Sequence, residues 1–277
     1  MPATFMTASI ASLHLYPVKS CRGIALESSP VVERGLTFDR EWMIVDSDGR
    51  FVTQRDLPEL ALVEPSLTTV ALELESPGRQ RLAVPFGLPG AATLQVTVWN
   101  DSVRAIDQGD EAAAWLSSAL RRPLRLVRFD LALERDCNRA YVGDSGAHTA
   151  FADAYPLLIL SEASLADLNS RLAEPLPMNR FRPNVVLSGI EAYDEDHIDE
   201  IRVGSLVFKM VKRCTRCQIT TTDQSTAVLG MEPLATLAGY RMNPELEGVT
   251  FGMNAIVSAG AGLAIHRGDR ISCAFRF

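Results

Sequence analysis

Short alternating runs of apolar and polar residues dominate the first hundred positions of this chain. Residues 10–15 (IASLHL) and 41–45 (EWMIV) send successive side chains to opposite faces, the pattern of half-buried strands. Asp48-Gly49 predicts a tight turn that leads into residues 51–54, a hairpin signal. Further strands are predicted over residues 68–74, 81–84 and 93–99. Many short strands punctuated by Gly and Pro point to a barrel or a heavily curved sheet. The period then lengthens. Ala112, Trp115, Leu116, Ala119 and Leu120 recur at helical spacing before Pro123, with Asp110 as the expected N-cap. Residues 124–129 resume as a strand.

Residues 130–155 carry no clear period and read as a long loop, of the kind that forms a lid or a domain connection. Residues 157–160 (LLIL) predict a buried strand running into Ser161, the N-cap of a helix carrying Leu165, Leu168 and Leu172. Such a step is either an ordinary cap or, through its free backbone N–H groups, an anion site. Strands follow over residues 184–187, 201–203 and 206–212. Pro233 opens a short helix to residue 240, and residues 251–258 and 270–275 close the chain as strands. The fold class expected is α+β, predominantly β. A smaller β-rich unit spans residues 1–125, and a curved-sheet unit with a few inserted helices spans residues 126–277.

Composition narrows the partners. The 277 residues are 47% hydrophobic and 22% charged, as in soluble globular proteins. Net charge is −7 without a basic run, which argues against nucleic acid and against an anionic membrane surface. The longest apolar runs are too short to span a bilayer. Residues 1–11 hold no positive charge ahead of their apolar stretch, unlike a signal peptide. Five scattered cysteines fit a reducing compartment, so the cytoplasm is the expected location.

The densest chemistry lies in Arg213-Cys214-Thr215-Arg216-Cys217, between an apolar strand and the β-branched stretch Ile219-Thr220-Thr221-Thr222. A free thiol titrates near ~8.5, and a neighbouring guanidinium raises its thiolate share. If the segment is extended, thiols three apart face opposite ways; in a tight turn both converge, as in redox or zinc motifs. A zinc site needs two more ligands, and no second CxxC exists. A thioredoxin-like pair needs a helix start that residues 219–222 do not supply. One buried structural Cys with an accidental neighbour is the plain alternative.

Basic residues meet turns at three other places: Pro17 to Gly23, Arg34 to Arg40, and Asn179 to Asn184. In an acidic chain, cations at four strand ends would converge well on an anion. Arg offers a planar fork to phosphate, Lys a point charge, and Ser or backbone N–H groups complete the shell. Any one of these cations taken alone is more often solvated or ion-paired.

Six blocks carry a resemblance to a known family: YPVKSCRG (16–23), GLTFDREW (35–42), LSEASLADLN (160–169), NRFRPN (179–184), CTRC (214–217) and FGMN (251–254). Together they resemble the MOSC (molybdenum cofactor sulfurase C-terminal) domain family, in the branch with an N-terminal MOSC β-barrel domain. That branch includes the mitochondrial amidoxime-reducing component and its bacterial relatives. The resemblance implies a molybdenum cofactor, Mo-molybdopterin, with Cys217 as thiolate ligand of the metal and Cys214 as its structural neighbour. It assigns pterin and phosphate binding to Lys19, Ser20, Arg40, Ser161, Arg180, Arg182, Asn184, Thr215 and Arg216. It sets Asp196 near the metal, where a proton donor or an ordinary loop carboxylate would fit. Pyridoxal phosphate attaches to the family by association only. The implied reaction removes oxygen from N-hydroxylated compounds such as amidoximes. Electrons would come from a separate ferredoxin- or cytochrome-type protein, because Cys273 alone cannot hold an iron–sulfur cluster. The alternative within the family is a sulfur carrier or cofactor-handling protein bearing a Cys217 persulfide. One departure stands out: Thr222 occupies a position that is usually aliphatic.

Overall fold

The computed structural model describes residues 8–88 and 90–276. Most of the N-terminal segment expected to lack a leader therefore lies outside the described residues. Among those described, twenty-one strands stand against four α-helices, the longest being Gly109–Leu120, so the chain is predominantly β. No described helix is long and apolar enough to cross a membrane.

The largest sheet runs in the order Ile24–Leu26, Ser9–Leu15, Val185–Ser188, Leu157–Ser161, Gly248–Ala259, Leu206–Thr215, Ile198–Val203 and Ser272–Phe275. Only Leu157–Ser161 and Val185–Ser188 pair in parallel, and the helix Glu162–Asn169 lies within the crossover that such pairing needs. One face buries Leu13, Ile159, Phe208, Met210 and Met253 in a common core. The ladder between Leu206–Thr215 and Gly248–Ala259 shifts register three times, the last shift falling between Arg213 and Thr215. Such bulges bend and twist the sheet. This one brackets Cys214 and turns the chain just before Cys217.

A second sheet orders Trp42–Val45, Arg125–Phe129, Asp101–Asp107 and Thr93–Val98. A three-stranded meander, Glu64–Leu67, Ala71–Glu75 and Leu82–Pro85, lies beside it in sequence. Ala112, Leu116 and Leu120 of the helix Gly109–Leu120 pack with Trp42, Leu60 and Leu72. The two expected units interleave. Ser9–Leu15 belongs to the large sheet, paired with Val185–Ser188, and residue 125 opens a strand of the N-terminal sheet.

Several expectations are corrected in detail. Helix Gly109–Leu120 starts after Gln108, and Asp110 lies in its first turn, paired with Arg125. The strand expected over residues 68–74 is Ala71–Glu75; its partner Glu64–Leu67 contains Pro65, which hid it from the pattern. Residues 130–155 are not one loop. They hold the paired strands Arg135–Asp136 and His148–Thr149 and the short helix Arg139–Val142. The organiser is Arg135, which is buried. It donates to Asp101 (2.7 Å) and to the carbonyls of Ala150 (2.8 Å), Ala152 (2.8 Å) and Asp153 (2.9 Å). A single buried cation gathering carbonyls leaves no periodic trace in sequence.

Gly252 tests the close packing behind the site. Its φ is +81°, and an added Cβ would lie 2.7 Å from Leu160 Cδ1 and 3.0 Å from the Ile159 carbonyl oxygen. Gly252→Ala is therefore expected to cost about 2–4 kcal/mol, from the left-handed backbone and from overpacking. Urea denaturation checks this; an unchanged midpoint would contradict the packing described.

Candidate functional site

The strand ends converge on one cleft. Lys19, Ser20, Arg40, Arg182, Asn184, Thr215, Arg216 and Cys217 all line it, together with Cys214 and Asp153. Four cations thus face a single carboxylate in a chain of net charge −7.

Each cation is held by its own set of partners. Lys19 is buried and donates to the Phe151 carbonyl (2.7 Å) and to Asp153 Oδ1 (2.6 Å). Burial pushes its pKa down, against the opposing pull of Asp153. Arg40 pairs with buried Asp39 and donates to Asn184 Oδ1 (3.0 Å) and the Arg182 carbonyl (3.2 Å). Arg182 donates to the Cys21 carbonyl at 2.6 Å. Both guanidinium carbons lie 4.3 Å from the centre of the Tyr16 ring. Burial lowers the Arg182 pKa to about 10 and raises those of Tyr16 and Cys21 to about 12 each, so Cys21 stays a thiol at neutral pH. Arg216 donates to the Phe181 carbonyl (2.7 Å) and to Cys214 Sγ (2.9 Å), while its buried Nε has no partner.

The backbone is unusual here as well. Ser20, Arg40 and Arg182 have φ of 67°, 48° and 56°, in the left-handed region that non-glycine residues seldom occupy. Strain of this kind persists only where the surroundings over-determine it, and it clusters at functional sites.

The two thiols differ. Cys214 ends the strand Leu206–Thr215, half-buried against the cluster of Leu158, Phe181 and Phe251. Cys217 is exposed and precedes the 3-10 turn Gln218–Thr221. Both border the cleft, so the opposite-face expectation for an extended segment holds only in exposure. Arg180 braces the turn from behind, donating to the Thr221 carbonyl (2.9 Å) and to Asp223 (2.9 Å). Hydrogen bonds from Ser225 and Thr226 hold the Asp223 carboxyl well below the usual carboxylate range. Thr222 is fully buried and its hydroxyl has no partner, which fits a position suited to an aliphatic side chain.

Three expected site residues do not line the cleft. Ser161 caps the helix Glu162–Asn169, and its N–H (3.2 Å) and hydroxyl (3.0 Å) both donate to buried Glu195. That carboxylate already stands at the helix start, so an anion site there is not available. Burial pushes the Glu195 pKa up. Asp196 is buried and paired with Arg241 (2.5 Å) and Arg213 (3.4 Å). Both arginines contact Oδ2, while the buried Oδ1 has no hydrogen-bond partner. Arg180 supports the turn from outside the lining. Conversely, Asp153, Thr53, Tyr155 and Asn254 line the cleft and were not singled out. Asn254 falls in a quoted motif, whereas Asp153 sits where the sequence shows no period. Among the described residues no group of three or more His, Cys, Asp or Glu comes together, so the zinc alternative finds no further ligands.

Comparison with known proteins bears on this geometry. Residues 7–123 match the MOSC N-terminal beta barrel domain, and residues 146–272 match the MOSC domain. The chain is 35% identical to mitochondrial amidoxime reducing component 2 of Rattus norvegicus, over 94% of this chain and 83% of that relative. It is 35% identical to mitochondrial amidoxime-reducing component 1 of Homo sapiens, over 90% of this chain and 76% of the relative. Among solved structures, the YUAD protein of Bacillus subtilis aligns over 96% of this chain and 94% of its own, at 12% identity and a TM-score of 0.41, too loose to carry an argument. With both domains matched in order and relatives at this identity covered over more than two thirds of their own length, the chain belongs to the MOSC family, in the branch with an N-terminal MOSC β-barrel domain.

Proposed function

We propose that this chain is a molybdenum-cofactor-dependent oxidoreductase that reduces N-hydroxylated compounds, with Cys217 as the protein ligand of the metal. The observation that carries the reading is an exposed thiol at the rim of a cleft lined by four cations and one carboxylate. The relatives named for amidoxime reduction supply the substrate class.

The residues present fit the cofactor. Arg182 and Arg216 keep positive charge that no carboxylate within ion-pair distance cancels among the described residues, and Arg216 Nε is a buried donor without an acceptor. Such donors suit a phosphate and a polar pterin. A thiolate suits a thiophilic metal centre. Bound there, the cofactor would supply the two-electron redox chemistry.

The chain's own residues have separate tasks. Cys217 offers the sulfur. Lys19, Ser20, Arg182 and Arg216 bind and orient the phosphate and pterin, and Asn184 and Arg40 fix the Arg182 loop. Asp153 holds Lys19 in place. Reduction of an N–OH group consumes two electrons and two protons and releases water, so a donor protein is required. A separate ferredoxin- or cytochrome-type protein is the donor in this reading.

Two expected outcomes test this. Protein made in a cofactor-competent host should carry near-stoichiometric molybdenum by mass spectrometry and reduce benzamidoxime with an artificial reductant. Cys217→Ala should lose nearly all of both, and Cys214→Ala should keep most. Metal-free protein bearing a persulfide on Cys217 would point instead to the sulfur-carrier alternative.

Lys19→Met removes one charge-assisted contact worth roughly 1.5–3 kcal/mol, so cofactor retention should weaken about tenfold or more. Equilibrium dialysis of loaded protein reads this, with the melting midpoint of cofactor-free protein as the control for folding. Equal occupancy in wild type and variant would remove Lys19 from the binding shell.

A further inference from the structure

Arg55 stands at the outer edge of the Cys217 sulfur, and no motif in the sequence singles it out. Its Nη1 lies 3.9 Å from Cys217 Sγ. Its guanidinium carbon is 4.6 Å from the Trp99 ring centre and 5.9 Å from that of Phe51, and the two rings lie 5.3 Å apart. Trp99 is 45% exposed. The cation is therefore held by aromatic faces beside the Cys217 sulfur.

What Arg55 lacks is as informative as what it touches. Among the described residues, no carboxylate lies within ion-pair distance of it, and the sulfur is the single hydrogen-bond acceptor of its guanidinium. The nearby acids have closer partners, though Asp153 still feels the Arg55 charge at longer range. Asp56 accepts from the Thr53 N–H (3.1 Å) and hydroxyl (3.0 Å). Asp153 accepts from Lys19 (2.6 Å) and from Trp99 Nε1 (3.0 Å). A guanidinium that is half-buried, stacked and short of acceptors is a preorganised fork for a carboxylate.

We infer that Arg55, backed by Trp99 and Phe51, determines specificity by receiving a carboxylate placed a few bonds from the N–OH group of the substrate. This rests on the functional reading above and adds to it a substrate class: aryl or short-chain N-hydroxylated acids.

The test compares 3-carboxybenzamidoxime with uncharged benzamidoxime in molybdenum-loaded protein. Arg55→Gln should lower kcat/KM for the carboxylated compound at least about tenfold more than for the neutral one. Arg55→Lys, which has charge but no fork, should restore only part of that difference. Raising salt should increase KM for the acid in wild type and barely move it in Arg55→Gln.

A second readout does not depend on turnover. Titrating 3-carboxybenzamidoxime should change the fluorescence of exposed Trp99, a change absent in Trp99→Phe and shifted to about tenfold higher ligand concentration in Arg55→Gln. Binding without reduction by fully loaded wild type would refute the functional reading and leave the anion subsite standing. Equal losses on both substrates, or molybdenum lost from Arg55→Gln, would overturn the subsite and make Arg55 part of cofactor retention.

Discussion

Four cations drawn out of bulk water around a single cleft are the constraint on which the rest of this structure depends. Removing a charge from water costs several kcal/mol unless partners replace the lost hydration. Lys19 and Arg40 have carboxylates, in Asp153 and Asp39. Arg182 and Arg216 receive carbonyl oxygens and a sulfur, which solvate a charge without cancelling it. The cleft is left electropositive inside an acidic chain. Much of the surrounding architecture serves this end: the Tyr16 ring beneath two guanidiniums, the left-handed turns at Ser20, Arg40 and Arg182, and the carbonyls gathered by Arg135 next to Asp153.

The two cysteines show how a short motif divides its labour. Cys214 lies at a bulged strand end, half-buried against aromatic rings, with its sulfur accepting from Arg216. Three residues on, the chain has left the ladder and Cys217 is exposed. Arg180 and Asp223 fix the turn that follows, so the outer sulfur is presented by a rigid element rather than a loose loop. Rigid support of this sort is what a metal ligand or a nucleophile needs in order to keep its geometry.

Periodicity read most of the strands correctly because their burial alternates or is continuous, as at Leu157–Ser161 and Leu206–Thr215. It placed the convergence of Lys19, Arg40, Arg182 and the thiol turn because cations beside turn residues are visible in sequence. It missed what depends on a single long-range contact. Arg135 orders residues 130–155 through carbonyls, and Glu195 fills the helix start at Ser161, so neither effect leaves a local pattern. Asp196 looked available in an acidic run and is engaged by Arg213 and Arg241, which come from distant strands and loops. Arg55 was silent for the same reason, since its neighbour Cys217 is far away in the chain.

The interleaved strand order has a consequence for biogenesis. Ser9–Leu15, which leads into the Lys19 turn, has Ile24–Leu26 on one side, but its other neighbour is Val185–Ser188, and the sheet continues from there through Leu157–Ser161 to Gly248–Ala259. Contacts of such long sequence separation form late, because the intervening chain must first be ordered. On the ribosome the basic cleft therefore stays incomplete until Asn254, the last residue of its lining, has emerged. An anion of any kind meets this electropositive lining as one surface only after the strand Gly248–Ala259 has joined the sheet.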